Sequence, residues 1–171
     1  LLIRYRPSLI VALLLLAIPT IAAEPLADIP PVERRIPPAG IEVPEAELAT
    51  LQSRLEKLQQ QLARHQDHDL QADVAVYTKA VAWALRFGEF YNARDTAKAN
   101  RLLDEAARRL EQIAAGKPDW TTATGLVVRG YYSSIDGSAQ PYGLEIPEEV
   151  STDRKVPLYV WLHGRGDKTT D

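Results

Sequence analysis

The chain has 171 residues, with 23 acidic and 20 basic side chains and no cysteine. Without cysteine, the chain offers no disulfide, thiolate-ligated metal, iron–sulfur cluster or thiol nucleophile. Apolar residues make up 46% and charged residues 25%, the balance of an ordinary folded domain, and a net charge of −3 provides no basic field for nucleic acid.

The first segment reads as an address. Arg4 and Arg6 precede an unbroken apolar run from Leu9 to Ile18, and Pro19-Thr20-Ile21-Ala22-Ala23 follows. A basic start, a short apolar core and small residues at the end make residues 1–23 a secretory signal peptide, with cleavage expected after Ala22 or Ala23. The core is too short to cross a bilayer comfortably. Read instead as an uncleaved N-terminal anchor, it still leaves the rest of the chain exported, periplasmic or extracellular. No methionine occurs, not even at position 1, so the start reads as truncated or as an unusual initiation codon, and the end is expected to be truncated as well.

Residues 24–47 hold prolines at 25, 30, 31, 37, 38 and 44 and one glycine, Gly40. Proline removes backbone donors and biases its predecessor toward extended backbone, so this stretch is expected to be a semi-rigid, unpacked linker.

Helical periodicity dominates residues 48–116. Leu48, Leu51, Leu55, Leu58 and Leu62 repeat every three or four residues, a coiled-coil-like seam. Such a seam can support helix-mediated self-association, although packing against neighbouring helices of the same chain is the ordinary outcome. A second helix is expected over residues 70–92, with Val74, Tyr77, Val81, Ala84 and Leu85 on one stripe. A third is expected over 96–115, capped by Asp95, with Ala99, Leu102, Leu103, Ala106, Leu110 and Ile113 inward and Gly116 and Pro118 as its stop signal. Arg108 and Arg109 suit the negative end of its dipole. His65-x-x-His68 beside Asp67 and Asp69 has a metal-ligand spacing, but a solvated turn explains it more simply. Trp83, Phe87, Phe90 and Tyr91 fit a ligand pocket or, as aromatics at helical spacing usually do, the core. This region reads as a helical hairpin or three-helix accessory region.

After Pro118 the periodicity changes. Residues 125–135 are rich in β-formers, Asp136-Gly137 signals a hairpin turn, and residues 140–147 read as the returning strand. Residues 148–155 form a charged loop. Val156-Pro157-Leu158-Tyr159-Val160-Trp161-Leu162 is apolar throughout, as in a strand buried on both faces of a sheet. It runs directly into His163-Gly164-Arg165-Gly166-Asp167.

This order of hairpin, charged loop, apolar strand and His-Gly-x-Gly turn resembles the opening of the α/β-hydrolase fold. The likeness is to its prolyl-oligopeptidase-like, dienelactone-hydrolase-like and secreted-esterase branches. It covers residues 125–167, and Arg165 and Asp167 depart from the all-glycine turn of lipases. The resemblance implies an α+β fragment in which residues 119–171 are the first strands of a hydrolase sheet. It also implies an oxyanion hole supplied by the Gly164–Gly166 turn. A tetrahedral intermediate places negative charge on the former carbonyl oxygen, and one pre-aimed amide donor contributes about 3–4 kcal/mol of transition-state stabilisation. The implied donor is the N–H of Arg165 or Gly166, with His163 and Asp167 supporting the turn. No catalytic residue is expected in this chain, because no Gly-x-Ser-x-Gly occurs and five residues follow Gly166. A parallel strand needs a crossover of a dozen or more residues. The function expected is therefore the N-terminal part of an exported serine peptidase or esterase, inactive as a fragment and acting on a peptide or ester once completed. The alternative is a non-enzymatic exported interaction module built on the leucine seam. No Gly-rich phosphate loop or dinucleotide fingerprint occurs, so no cofactor, metal or nucleic-acid partner is implied. Arg165-Gly166-Asp167 is also an integrin-type triplet, of a kind common by chance.

Overall fold

Leucine spacing and a proline stop set the first helix. A computed structural model describes residues 38–65, 68–149 and 155–162 of the chain. In it, α1 spans Glu45–Ala63, and Leu51, Leu55, Leu58 and Leu62 are its buried side chains. Pro44 precedes its first turn, where the Pro44 carbonyl accepts from the Glu47 and Leu48 amides at 2.9 and 3.1 Å. Glu45 and Glu47 lie there, matching the positive end of the helix dipole. The leucine seam faces the next two helices of the same chain.

Packing starts earlier than the proline-rich composition suggests. The Ile41 amide donates to the Phe90 carbonyl at 2.6 Å, and Val43 packs against the core. The last residues of the expected linker are thus anchored at Phe90. A single backbone bond and one apolar side chain are enough to fix a stretch that proline has already stiffened.

α2 spans Gln71–Phe87 and α3 spans Asp95–Ala114. α2 is shorter than its periodicity predicts because the chain turns at Gly88, which has a φ of 65°. Its first half is buried all round, from Ala72 to Thr78, because α1 and α3 cover one side and the hairpin covers the other. Of the four aromatics expected in the core, Phe90 is there, but Trp83 and Phe87 are half-exposed. They form an edge-to-face surface pair flanked by the Lys79 and Arg86 cations.

A short 3₁₀ turn, Asp119–Thr121, leads to strands β1 (Gly125–Tyr132) and β2 (Ala139–Ile146). They pair antiparallel, with Val127 opposite Leu144 and Arg129 opposite Tyr142. β1 ends three residues before Ile135. The Ser133 amide bonds the Ser138 carbonyl at 2.9 Å, and residues 134–137 form a four-residue loop rather than a two-residue turn. Gly137 supplies the positive φ of 69° that lets this loop close.

The chain is therefore α+β, a three-helix bundle carrying a two-stranded antiparallel hairpin. Among the described residues the sheet has these two strands, and the wider hydrolase sheet is not shown. Val156–Leu162, expected as a doubly buried strand, has no regular secondary structure, and Leu158, Tyr159, Trp161 and Leu162 are each at least 80% exposed. Among the described residues no further strand covers them. No helix among those residues is long and apolar enough to cross a membrane.

Candidate functional site

The functional turn read from sequence, His163, Gly164, Arg165, Gly166 and Asp167, lies outside the described residues, as does the 1–23 address segment. Within the described residues the densest polar assembly is the junction between the bundle and the hairpin. Sequence reasoning did not single it out.

Its centre is Asp73, 1% exposed near the start of α2. The Asp73 carboxylate accepts three hydrogen bonds. Trp120 Nε1 and Arg129 Nε donate to Oδ2 at 2.9 and 2.8 Å, and the Gly130 amide donates to Oδ1 at 2.6 Å. A buried carboxylate without such partners carries a heavy desolvation penalty, so this degree of saturation is what makes its burial tolerable. Gly130 is required for the approach, since a Cβ there would lie 2.2 Å from the Ala72 carbonyl oxygen.

Arg109 of α3 is the second member, 3% exposed rather than solvated at a helix end. Its Nε donates to Glu105 Oε1 at 2.7 Å, and Nη1 donates to the carbonyls of Val128 and Asp73 at 2.9 and 3.1 Å. The guanidinium lies 4.8 Å from the ring centres of both Tyr77 and Trp120. At that distance the guanidinium charge is attracted to both ring faces. Arg108 bonds Glu105 and, on the other side, Asp119. Hydrogen bonds from Arg108 and Arg109 hold the Glu105 carboxyl below the usual carboxylate range, while burial raises the Tyr77 phenol above its ordinary value.

Every charge in this junction is spoken for. Among the described residues no buried side-chain nitrogen or oxygen lacks a hydrogen-bond partner. Its carboxylates and guanidiniums are held by one another and by backbone groups of helix and strand, so the assembly works as a clamp between bundle and hairpin.

His65 and His68 lie in a turn, where His68 Nδ1 accepts from the Leu70 amide at 3.1 Å. Among the described residues no group of three His, Asp or Glu side chains is placed to hold a metal. The hairpin-loop serines bond within the loop: Ser133 Oγ accepts from the Ile135 amide, and Ser138 Oγ donates to Asp136 Oδ1. A cavity of about 360 Å³ lies over Val81, Asp95 and Lys98, but Asp95 is already held by Lys98 and by the Tyr91 and Asn92 amides. A more open groove of about 550 Å³ runs between α1, α2 and the hairpin end, past Leu62, Lys79, Trp83 and Ser138. Lys79 Nζ there donates to the Ala139 carbonyl at 2.7 Å.

No protein-family model, curated protein or solved structure matches this chain.

Proposed function

We propose that this chain is the N-terminal part of an exported serine hydrolase, a prolyl-oligopeptidase-like peptidase or an esterase. In this reading it contributes the oxyanion-hole turn at Gly164–Gly166 and lacks the nucleophile. One observation carries the reading: the uncovered run Val156–Leu162, apolar at every position and exposed along its length. An amphipathic edge strand would alternate, whereas a segment apolar on both faces is stable only inside a sheet covered on both sides. That environment is the one in which the following His163-Gly164-Arg165-Gly166 turn would present amides to a developing oxyanion. The peptide or ester substrate would be bound by parts of the polypeptide beyond these strands. Residues 1–23 would direct export.

The interaction-module alternative relies on the leucine seam, and Leu51, Leu55, Leu58 and Leu62 are buried within the chain itself. Reading the natural frame past Asp171 separates the two. A Gly-x-Ser-x-Gly after a further apolar strand, followed by Asp and then His, fits the hydrolase, and a stop directly after Asp171 removes it.

A further inference from the structure

The second half of α2 differs in charge from the rest of the chain. From Lys79 to Phe87 it holds two cations, Lys79 and Arg86, two aromatics, Trp83 and Phe87, and no acid, whereas the whole chain has 23 acidic and 20 basic side chains. Residues 79, 83 and 87 are four apart and so share one line of the helix, with Arg86 beside it. Trp83 and Phe87 are 50% and 57% exposed, and their ring centres lie 6.1 Å apart. Lys79 Nζ lies 4.5 Å from the Trp83 ring centre, and the Arg86 guanidinium 5.1 Å from that of Phe87. Among the described residues neither cation is in an ion pair. Lys79 gives one hydrogen bond to the Ala139 carbonyl, which leaves two of its three donors. Asp136 of the hairpin loop, whose carboxyl Lys79 helps to lower, is turned to the Ser138 amide and hydroxyl at 3.1 and 2.8 Å. The chain also enters the fold at this end of α2. Ile41, itself 42% exposed, bonds Phe90, and Gly40 lies against the Gly88 carbonyl.

We propose that this face of α2 seats the folded chain on an anionic lipid surface, with the Trp83 and Phe87 rings entering the headgroup boundary and Lys79 and Arg86 meeting lipid phosphates. Helices that lie on a bilayer combine aromatic or leucine side chains with lysine and arginine in this way. An indole suits the boundary because its body is apolar and its N–H is polar. Long basic side chains keep their charge in water while their stems run along apolar groups, as both cations do beside these rings. An acidic protein would answer the same charges, but a stable protein interface takes about 20–30 residues a side, and this strip offers four side chains. Contact with lipid needs no such area, since each basic side chain near an anionic surface adds its own attraction. The face stands whether or not the chain belongs to a hydrolase.

Tryptophan fluorescence on lipid vesicles tests this. In the full chain with Trp161→Phe, Trp83 is exposed and Trp120 is buried, so a change on binding reports Trp83. On vesicles of phosphatidylcholine mixed with phosphatidylglycerol the emission should move to the blue, and brominated acyl chains should quench it. Partition should be on the order of 10-fold weaker on phosphatidylcholine alone and should fall as salt is raised. Lys79→Glu with Arg86→Glu should abolish that preference, and Phe87→Ala should weaken partition to both lipids. If either variant does not fold, the comparison of the two lipids with the unaltered face still decides. A Trp83 that stays unquenched overturns the proposal even if the chain sediments with the vesicles, because Leu9–Ile18 or Val156–Leu162 then holds it there. Equal partition to both lipids overturns it, as does a charge-reversed variant that keeps the preference. Emission that moves to the blue with protein concentration in the absence of lipid marks a second copy as the occupant and overturns it as well.

Discussion

Asp73 and Arg109, two buried and oppositely charged residues on adjacent helices, meet through a backbone oxygen. Arg109 Nη1 bonds the Asp73 carbonyl at 3.1 Å, and each charged group is turned to the outward edge of β1 instead. The pair joins helix to strand, and its loss should be felt as separation of the hairpin from the bundle.

Replacing Asp73 with alanine leaves Trp120 Nε1, Arg129 and the Gly130 amide without their acceptor. Removing one partner from a buried charged pair costs about 3–5 kcal/mol. Urea unfolding should show a loss of that size, and the Trp120 indole N–H resonance should move toward its solvent-exposed position. An unmoved resonance with full stability would contradict the clamp.

Gly130→Ala pushes a methyl group into the Ala72 carbonyl, whereas the corresponding atom at Gly143 meets nothing within 4 Å. Overpacking of this kind costs about 1–3 kcal/mol, while Gly143→Ala should stay within about 0.5 kcal/mol of wild type. Equal effects at the two positions would mean that β1 does not touch α2.

Acid should weaken the fold. Asp95 is held at about 2, from an ordinary 3.8, by hydrogen bonds from Lys98 and the Tyr91 amide, and Glu105 is lowered chiefly by Arg108. Both bind protons less tightly folded than unfolded, so their contribution is complete above their unfolded values, about pH 4 to 4.5, and is lost as pH falls through the folded ones. Denaturation midpoints should be level from pH 7 to 5 and fall steeply below about pH 4, with Asp95→Asn flattening the lower part. A midpoint that rises on acidification would reverse the sign.

The helix pattern and the hairpin were legible because each element buries side chains at its own period. The leucine spacing predicted α1, and the stripe Ala99, Leu102, Leu103, Ala106, Leu110 and Ile113 predicted the inner face of α3, where all but the partly buried Leu102 are buried. The clamp was not legible, although its positions were. Arg109 stands three residues after Ala106 and four before Ile113, squarely on the buried stripe, and Asp73 stands four before Tyr77 on that of α2. A charge on an apolar stripe signals a buried partner, but apart from Glu105 the partners lie 19 to 57 residues away in sequence. Local periodicity carries no information about which strand edge they reach. Trp83 and Phe87 misled for the same reason: aromatic spacing shows that a helix has a stripe and not whether anything covers it.

The run Val156–Leu162 should make the 171-residue chain prone to association and able to bind 8-anilinonaphthalene sulfonate, since large exposed apolar patches do both. Leu158→Asp with Trp161→Asp should abolish dye binding without shifting the unfolding of the bundle. A wild-type chain that stays monomeric and dye-free would show the run to be covered.

Export is checked by the mature N-terminus. Expressed with its natural start in a secreting host, the chain should begin at Ala23 or Glu24. Recovery of an intact residue 1 in the membrane fraction would instead mark residues 1–23 as an anchor.

The most direct measurement is covalent labelling by a fluorophosphonate, read by intact mass, on the protein expressed through its natural frame beside the chain ending at Asp171. One adduct on the longer protein, on a serine within Gly-x-Ser-x-Gly, and none on the shorter is the predicted result. A labelled 171-residue chain, or an unlabelled longer one, would contradict the account.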